Sequence, residues 1–208
     1  MLLYLALVAV SLLGNSAAVR VDVDTSKARD LEGFGRQIKK TLEDWYPYLS
    51  YLMYSPTFED VPVINIYFDP DYKRIAYASG NRIVGAVDYY RQNQQGVGSM
   101  IHEMVHVIQQ YRNTPGWVTE GMADYYRYYR YENRKLSKPT TDNNHTNGYG
   151  VTAFFFNWVD QNKPKISGQS MLYWINKDAR EGNYKDTIWT RFYRQTVEQV
   201  WQEMMRRA

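Results

Sequence analysis

The strongest structural signal in this chain is the stretch His102-Glu103-Met104-Val105-His106. Residues four apart on an α-helix lie on the same face, so both imidazoles can reach one metal ion. Glu103 lies a fraction of a turn away, where its carboxylate can bond a metal-bound water without being a ligand. Apolar residues recur at core-facing spacing, and neither Pro nor Gly interrupts residues 99–112. The stretch therefore predicts a helix that carries a catalytic zinc site.

Chance is a poor explanation for this arrangement. The chain has 208 residues with only three histidines and nine glutamates. Random placement would give the pattern H-E-x-x-H in roughly two of a thousand such chains. The competing interpretation is an ordinary helix with one packed and one solvated histidine. Two of the three histidines fall in one motif with the required acid, which favours the metal site.

Composition limits the class of protein. The net charge is +3, and the basic residues are scattered rather than gathered into a stripe, so no nucleic-acid partner is expected. The chain has no cysteine, so any metal must be held by His, Asp, Glu or water. After removal of a leader about 190 residues remain, enough for one domain with a substantial core.

The first 18 residues are typical of a secretory signal peptide. Residues 2–13 are apolar but too few to span a bilayer, and Ser16 and Ala18 supply small residues before a cleavage site. A basic segment at the start is missing, so an uncleaved membrane anchor is the alternative. We expect cleavage after Ala18, a single catalytic domain over residues 19–208, and a secreted protein with no membrane attachment. The sequence does not indicate an oligomeric state.

Hydrophobic periodicity places strands before most of the helices. Residues 27–54 have helical spacing, and Pro47 is expected to kink or end that helix. Residues 61–69 alternate as a strand, and two more strands are expected at 74–79 and 82–90, joined by a turn. After the H-E-x-x-H helix, four further segments have helical spacing: 114–131, 150–158, 168–176 and 187–207. This order predicts an α+β domain.

A catalytic zinc site needs a third protein ligand beside the two histidines. The metzincin spacing is excluded, because Gln109 and Arg112 occupy the positions of its Gly and His. Glu120 lies on the next predicted helix, which a short turn at residues 113–116 can fold back to complete a His2Glu set. Asp124, one turn later, is placed to accept the other ring N–H of a ligand histidine.

Alternatives to these assignments stay open. Small Gly121 and Ala123 would let the helix of Glu120 approach the helix of the two histidines closely. The alternative is that Glu120 and Asp124 lie on a solvated helix face. His145 is the rival third ligand. It lies in a polar loop, where an exposed side chain is the favoured interpretation.

Three sequence motifs occur in this chain in a fixed order. They run from His102 to Gln109, from Glu120 to Tyr125, and from Gly148 to Ala153. Together they resemble the basic secretory proteins, a group of secreted zinc peptidases first associated with plants. The resemblance covers roughly residues 63–158, and we expect it to extend over the whole mature chain. It implies the metallopeptidase fold of the gluzincins, which is a zincin-like fold. In this fold a twisted mixed sheet packs on the H-E-x-x-H helix. The C-terminal part of the chain is expected to be mainly helical.

The resemblance also implies the roles of individual residues. His102, His106 and Glu120 match the metal ligands, and Glu103 matches the catalytic acid. The expected function is a secreted zinc metallopeptidase that holds one Zn²⁺ per chain and acts on peptide or protein substrates. Glu103 would be the general base. Tyr149 is the candidate for stabilising the oxyanion, with a packing tyrosine as the alternative.

An extended substrate would pair with residues 82–90, interpreted as an edge strand. Two other functions fit the sequence. A secreted binding or defence protein could keep a structural zinc site, with His145 or Asp124 in the fourth position. The presence of Glu103 argues against that function, because a structural site does not need this acid. Metal-dependent hydrolysis of a non-peptide amide is the other, and no sequence feature separates it from peptidase activity.

Overall fold

A computed structural model describes residues 18–208. The predicted signal peptide, residues 1–18, therefore lies outside the described residues except for Ala18. In the described part of the chain a four-stranded mixed sheet is combined with eight α-helices, which confirms the α+β class. No helix within residues 18–208 has both the length and the apolar character needed to cross a membrane.

The chain divides into two compact units. The first contains the described residues up to Tyr54 together with Phe58–Ile108, and the second contains Ser55–Thr57 and Gln109–Ala208. The whole sheet belongs to the first unit, whereas most of the shorter helices belong to the second. The prediction of one catalytic domain over residues 19–208 stays a prediction.

Four strands form the sheet of the first unit: β1 (Arg20–Asp24), β2 (Val63–Asp69), β3 (Ala76–Ser79) and β4 (Arg82–Ala86). Their order across the sheet is β1-β2-β4-β3. β2 runs parallel to both β1 and β4, whereas β3 runs antiparallel to β4. Side chains alternate between the faces of a strand. Ile64, Ile66 and Phe68 of β2 are accordingly buried, as the sequence alternation predicts.

One prediction about the strands is wrong, and one strand was not predicted. Residues 82–90 are not one edge strand, because β4 ends at Ala86, is followed by helix α2 (Val87–Gln92), and lies between β2 and β3. β1 was not predicted at all. It is only five residues long and alternates valine with charged residues, so its buried Val21 is evident only once the strand pairs with β2.

Helix α1 spans Glu32–Leu52 and contains Pro47 in its interior. The expectation that Pro47 could end the helix is wrong. An interior proline costs about 3 kcal/mol because it removes a hydrogen bond and clashes with the preceding turn. Leu42 and Leu49, on either side of it, are fully buried. Burying each leucine contributes about 1.5–3 kcal/mol, which offsets the defect and lets the helix continue.

The H-E-x-x-H stretch lies in helix α3, Val97–Gln109, which confirms the predicted helix with ends shifted by two or three residues. Gly85 of β4 makes room for this helix, since an added Cβ would lie 2.8 Å from Met100 Cε and 2.8 Å from Tyr90 Cε2. The hydroxyls of Tyr90 and Ser99 are hydrogen-bonded at 2.7 Å. These contacts hold the start of α3 against β4 within the first unit.

The second unit is built from helices. Its α-helices are α4 (Gly116–Tyr125), α5 (Tyr149–Asn162), α6 (Met171–Arg180), α7 (Thr187–Tyr193) and α8 (Val197–Arg207). A π-helical segment, Tyr126–Tyr131, continues α4, and short 3₁₀ turns occupy Arg29–Leu31 in the first unit and His145–Asn147 in the second. The aromatic core includes Phe155, whose ring lies 5.4 Å from that of Trp189 and 5.5 Å from that of Trp201.

Two helix boundaries differ from expectation. The helix predicted over residues 187–207 is two helices, because Arg194 adopts a left-handed φ of 57° and Thr196 caps α8 with its hydroxyl. The helix predicted over residues 114–131 begins at Gly116 as α4, and its cap position is Pro115 rather than Thr114. The Thr114 hydroxyl instead donates to the carbonyl of Arg112 at 3.0 Å.

Candidate metal centre

Helix α3 brings the two motif histidines to the same face, as spacing by four residues requires. The Nε2 atoms of His102 and His106 are 3.0 Å apart, and the ring planes meet at 85°. Two nitrogens at tetrahedral positions around one zinc ion are about 3.3 Å apart, because each Zn–N bond is about 2.0–2.1 Å. The two rings therefore converge much as two ligands of one ion would.

Glu120 of helix α4 is the third residue of the group. One ligand atom from each of His102, His106 and Glu120 lies within 4.8 Å of the other two. Within residues 18–208 no other group of His, Asp and Glu meets this criterion. Two imidazole nitrogens and a carboxylate oxygen are a ligand set found in catalytic zinc sites. The group could hold a metal ion, and its donors fit zinc.

Glu103 lies next to His102 on helix α3, and the two residues are each only 7% exposed. Ionised carboxylates are seldom so buried unless hydrogen bonds or a nearby cation compensate for the lost water. A metal ion held by the adjacent histidine would supply such a cation. Glu103 thus lies buried on the helix of the two histidines, and its part in proton transfer stays a prediction.

Helix α4 packs very closely on helix α5 at Gly121, the residue after Glu120. An added Cβ on Gly121 would lie 2.3 Å from Cγ2 and 2.6 Å from Cβ of Thr152. Thr152 is fully buried and donates its hydroxyl hydrogen to the carbonyl of His145 at 2.8 Å. Thr152 belongs to the stretch from Gly148 to Ala153, but no role was expected for it, because no periodic pattern marks which residue of a distant helix will meet a glycine.

The turn before α5 lies against Glu120. An added Cβ on Gly148, whose φ is +72°, would be 3.8 Å from Glu120 Cβ. Tyr149 follows with a φ of 45°, a left-handed conformation that is a genuine outlier for a bulky residue. Its side chain is 57% exposed. Strained residues of this kind persist where the surroundings hold them, and they cluster at functional sites.

Comparison with known families decides what this arrangement belongs to. A family model described as peptidases of plants and bacteria, BSP, matches residues 21–204. The chain belongs to this family. The match confirms the resemblance to the basic secretory proteins and, as expected, reaches beyond residues 63–158 over most of the mature chain. Searches among curated proteins and among solved structures found no match.

Asp124 is buried in this BSP-family chain, with 4% of its surface exposed. A solvated helix face is therefore the wrong interpretation for Asp124, and Glu120, one turn earlier, is itself partly buried. Asp124 does not belong to the group that could hold the metal. Its predicted hydrogen bond to a ligand histidine stays a prediction.

His145 is not part of the metal group, so the structure gives no support to it as the third ligand. The expectation that it is exposed is wrong, because only 7% of its surface is accessible. Its ring meets that of Trp117 edge-on at 5.0 Å, and its Nε2 lies 3.8 Å from the Glu198 carboxylate. Burial lowers the pKa of His145, and Glu198 and Asp186 oppose that shift.

Proposed function

We propose that this chain is a secreted zinc-dependent metallopeptidase with a zincin-like catalytic fold. The observation that carries the proposal is the group of His102, His106 and Glu120, whose ligand atoms lie within 4.8 Å of one another. Membership of a family described as peptidases implies protein or peptide substrates. Helix α3 packs against a mixed sheet, and this packing supports the proposal of a zincin-like fold.

In the proposed hydrolysis the three metal ligands hold the zinc ion, and Glu103 transfers the proton. Zinc held by His102, His106 and Glu120 would lower the pKa of a water and polarise the scissile carbonyl. Glu103 accepts a proton from the attacking water as the water oxygen bonds to the carbonyl carbon. Glu103 then delivers that proton to the amine nitrogen as the C–N bond breaks. Its position beside His102 on a rigid helix keeps the carboxylate near the reacting water throughout.

Tyr149 is proposed to donate a hydrogen bond to the oxyanion that forms on the carbonyl oxygen. Its support is the strained, exposed position next to Gly148, which lies against Glu120. Loss of one oxyanion donor typically lowers kcat about 10²- to 10³-fold. Tyr149→Phe should show such a loss with unchanged zinc content, and full activity in that variant would remove Tyr149 from the mechanism.

The outer edge of β3 is the proposed docking edge for an extended substrate. At the opposite edge the main-chain groups of Val21 in β1 are already used, because its N–H donates to Glu43 and its carbonyl accepts from Lys39. In an antiparallel pair, alternate residues direct their main-chain groups outward. Ile75 on the inner side accepts from Ala86, so Ala76 and Ala78 face outward.

Pairing with a peptide would use the N–H and carbonyl of Ala78, since the carbonyl of Ala76 already accepts from the Tyr72 hydroxyl at 3.3 Å. Ala78→Pro removes the outward N–H while leaving the ladder to β4 intact. We expect a higher KM with an unchanged melting temperature. An unchanged KM for long peptides would place the substrate elsewhere.

Secretion is proposed from the apolar residues 2–13 and the small residues that follow them. Expression of the full chain in a secreting host, followed by N-terminal sequencing of the exported protein, tests this. Export with Val19 as the first residue supports cleavage after Ala18. A full-length protein retained in the membrane fraction would instead support the uncleaved anchor.

The proposed function is tested by the zinc content of the purified protein together with chelator-sensitive cleavage of a mixed peptide library. Glu103→Gln should keep one zinc per chain and lose about 10²- to 10⁴-fold in rate, because it removes the general base. Glu120→Ala should lose the metal. Glu32→Gln, at an exposed glutamate on α1, is the matched control and should retain both properties.

Each other outcome points to a different function. Zinc without peptide cleavage in the wild type would favour the binding or defence protein with a structural site. Cleavage of small amides but not of peptides would favour the non-peptide amidase. Full activity in Glu103→Gln would refute the mechanism.

A further inference from the structure

The last residue of helix α3 is hydrogen-bonded to the segment that carries Glu120. Gln109 ends the helix and is only 1% exposed. Its side-chain Nε2 donates to the carbonyl of Thr119, the residue before Glu120, at 2.8 Å. His106 lies three residues before Gln109 on the same rigid helix. One side-chain hydrogen bond therefore connects the helix of the two histidines to the backbone of the third ligand.

The chain between these two helices follows an irregular path over residues 110–115. Gln110 and Asn113 both adopt left-handed conformations, with φ values of 51° and 48°. Asparagine tolerates this conformation, but glutamine holds it only when the surrounding structure enforces it. The local preference of Gln110 thus opposes the path of the connection, and contacts from outside it help to set where α4 begins.

The C-terminal end of helix α6 supplies some of those contacts. Arg180, 3% exposed, donates from Nε to the carbonyl of Gln109 at 3.1 Å. The carbonyl of Ala179 accepts from the N–H of Arg112 at 3.0 Å. A guanidinium at the carboxyl end of α3 also complements the helix dipole. Gln109 is therefore held through its main chain by Arg180 and holds Thr119 through its side chain.

We propose that Gln109 is a positioning residue that holds the backbone next to Glu120 in place and so raises the affinity of the site for its metal ion. The inference rests on the proposed function, since it takes Glu120 as a ligand. Gln109 does not touch the metal in this scheme. It restrains the Thr119 carbonyl in the first turn of α4, which limits where the Glu120 carboxylate can lie.

The same glutamine also takes part in a buried polar cluster. Its side chain is hydrogen-bonded to Tyr111, whose hydroxyl donates to Asn176 at 3.0 Å. Tyr111→Phe would weaken this cluster and leave the bond from Gln109 to Thr119 in place. That substitution therefore separates the stability of the cluster from the position of Glu120.

The experiment measures zinc affinity of purified full-length variants by competition with a chromogenic chelator, together with the visible spectrum of the Co²⁺-loaded protein. Gln109→Met and Gln109→Glu keep the length of the side chain and lose the donor. Loss of a group that orients a ligand typically costs about 10- to 100-fold in metal affinity. We expect that rise in the dissociation constant and shifted Co²⁺ bands in both variants.

Two controls accompany these variants. Tyr111→Phe should lower the melting temperature of the metal-free protein while its zinc affinity and Co²⁺ spectrum stay at wild-type values. Gln161→Glu changes an exposed glutamine of α5 that bonds only locally, to Asn157, and should leave all three measurements unchanged.

The proposal is overturned if a folded Gln109 variant binds Zn²⁺ within about twofold of the wild type and shows the wild-type Co²⁺ spectrum. If only Gln109→Met folds, its affinity decides. An equal loss of affinity in Tyr111→Phe also overturns it, because the effect would then come from general destabilisation. A wild-type protein that binds no zinc refutes the proposed function instead, so the two failures are distinguishable.

Discussion

Replacing Gly121 by alanine should destabilise the second unit and weaken metal binding. The new Cβ would lie 2.3 Å from Cγ2 of Thr152, whereas ordinary contacts of a Cβ are 3.4–4 Å. Relief needs a shift of about 1 Å, and Thr152 is fully buried with its hydroxyl bonded to His145. Overpacking typically costs about 1–3 kcal/mol, and so deep an overlap predicts about 3 kcal/mol.

Thermal unfolding of the metal-free protein measures this cost. A chain of this size loses about 2–4 °C of Tm per kcal/mol, so a decrease of about 6–12 °C is expected. Gly116→Ala is the matched control on the same helix, because a Cβ there meets nothing within 4 Å. The double variant Gly121→Ala/Thr152→Ser removes Cγ2, keeps the hydroxyl and should recover part of the loss.

Zinc affinity supplies the second measurement. Gly121 follows Glu120 directly, so a displaced α4 moves the third ligand and should raise the dissociation constant for Zn²⁺. A Gly121→Ala protein that melts within about 2 °C of the wild type would refute the reasoning about close approach. A large decrease without any recovery in the Thr152→Ser double variant would show that the strain does not come from Cγ2 of Thr152.

Other perturbations test the rest of the molecule. Gly85→Ala places a Cβ 2.8 Å from the Tyr90 ring and should lower the free energy of unfolding in urea by about 1–3 kcal/mol; an unchanged midpoint would contradict this packing. Chelation should lower Tm, since an ion at 100 times its Kd adds about 2.7 kcal/mol; identical melting curves would argue against the metal site. His145→Gln should flatten the pH dependence of stability. Burial lowers the folded-state pKa of His145 against the opposing effect of Glu198 and Asp186, so the unfolded chain binds more protons. The contribution of neutral His145 to the free energy of unfolding is therefore complete above the ordinary histidine pKa of about 6.5. It is lost as pH falls toward the lower pKa of the folded state. Parallel curves of stability against pH for the two proteins would contradict this.

Predictions that depend on local spacing agree with the structure. The alternation in β2 and the spacing of His102 and His106 by four residues are properties of short segments. A helix rotates by a constant angle per residue, so two residues four apart share a face wherever the helix packs. For the same reason Glu103 had to lie close to the face of the two histidines.

Predictions that needed the partner of a segment agree less well. β4 was interpreted as an edge strand, but the pairing of β3 places it inside the sheet. The loop composition around His145 indicated exposure, yet the residue is buried against Trp117. Pro47 was expected to kink or end its helix, yet the helix continues past it, where the neighbouring leucines are buried. In each case a distant part of the chain outweighs the local preference.

The sequence by itself determined the α+β class, the family, the helix of the two histidines and the types of metal donor available. Only the tertiary structure decided how the backbone at Glu120 is held. Glu120 comes fourteen positions after His106, and the segment between them includes Gln110, whose left-handed conformation the local chain does not favour. Packing of Gly121 on Thr152 and the hydrogen bond from Gln109 decide it, because those contacts exist only when residues far apart in sequence meet.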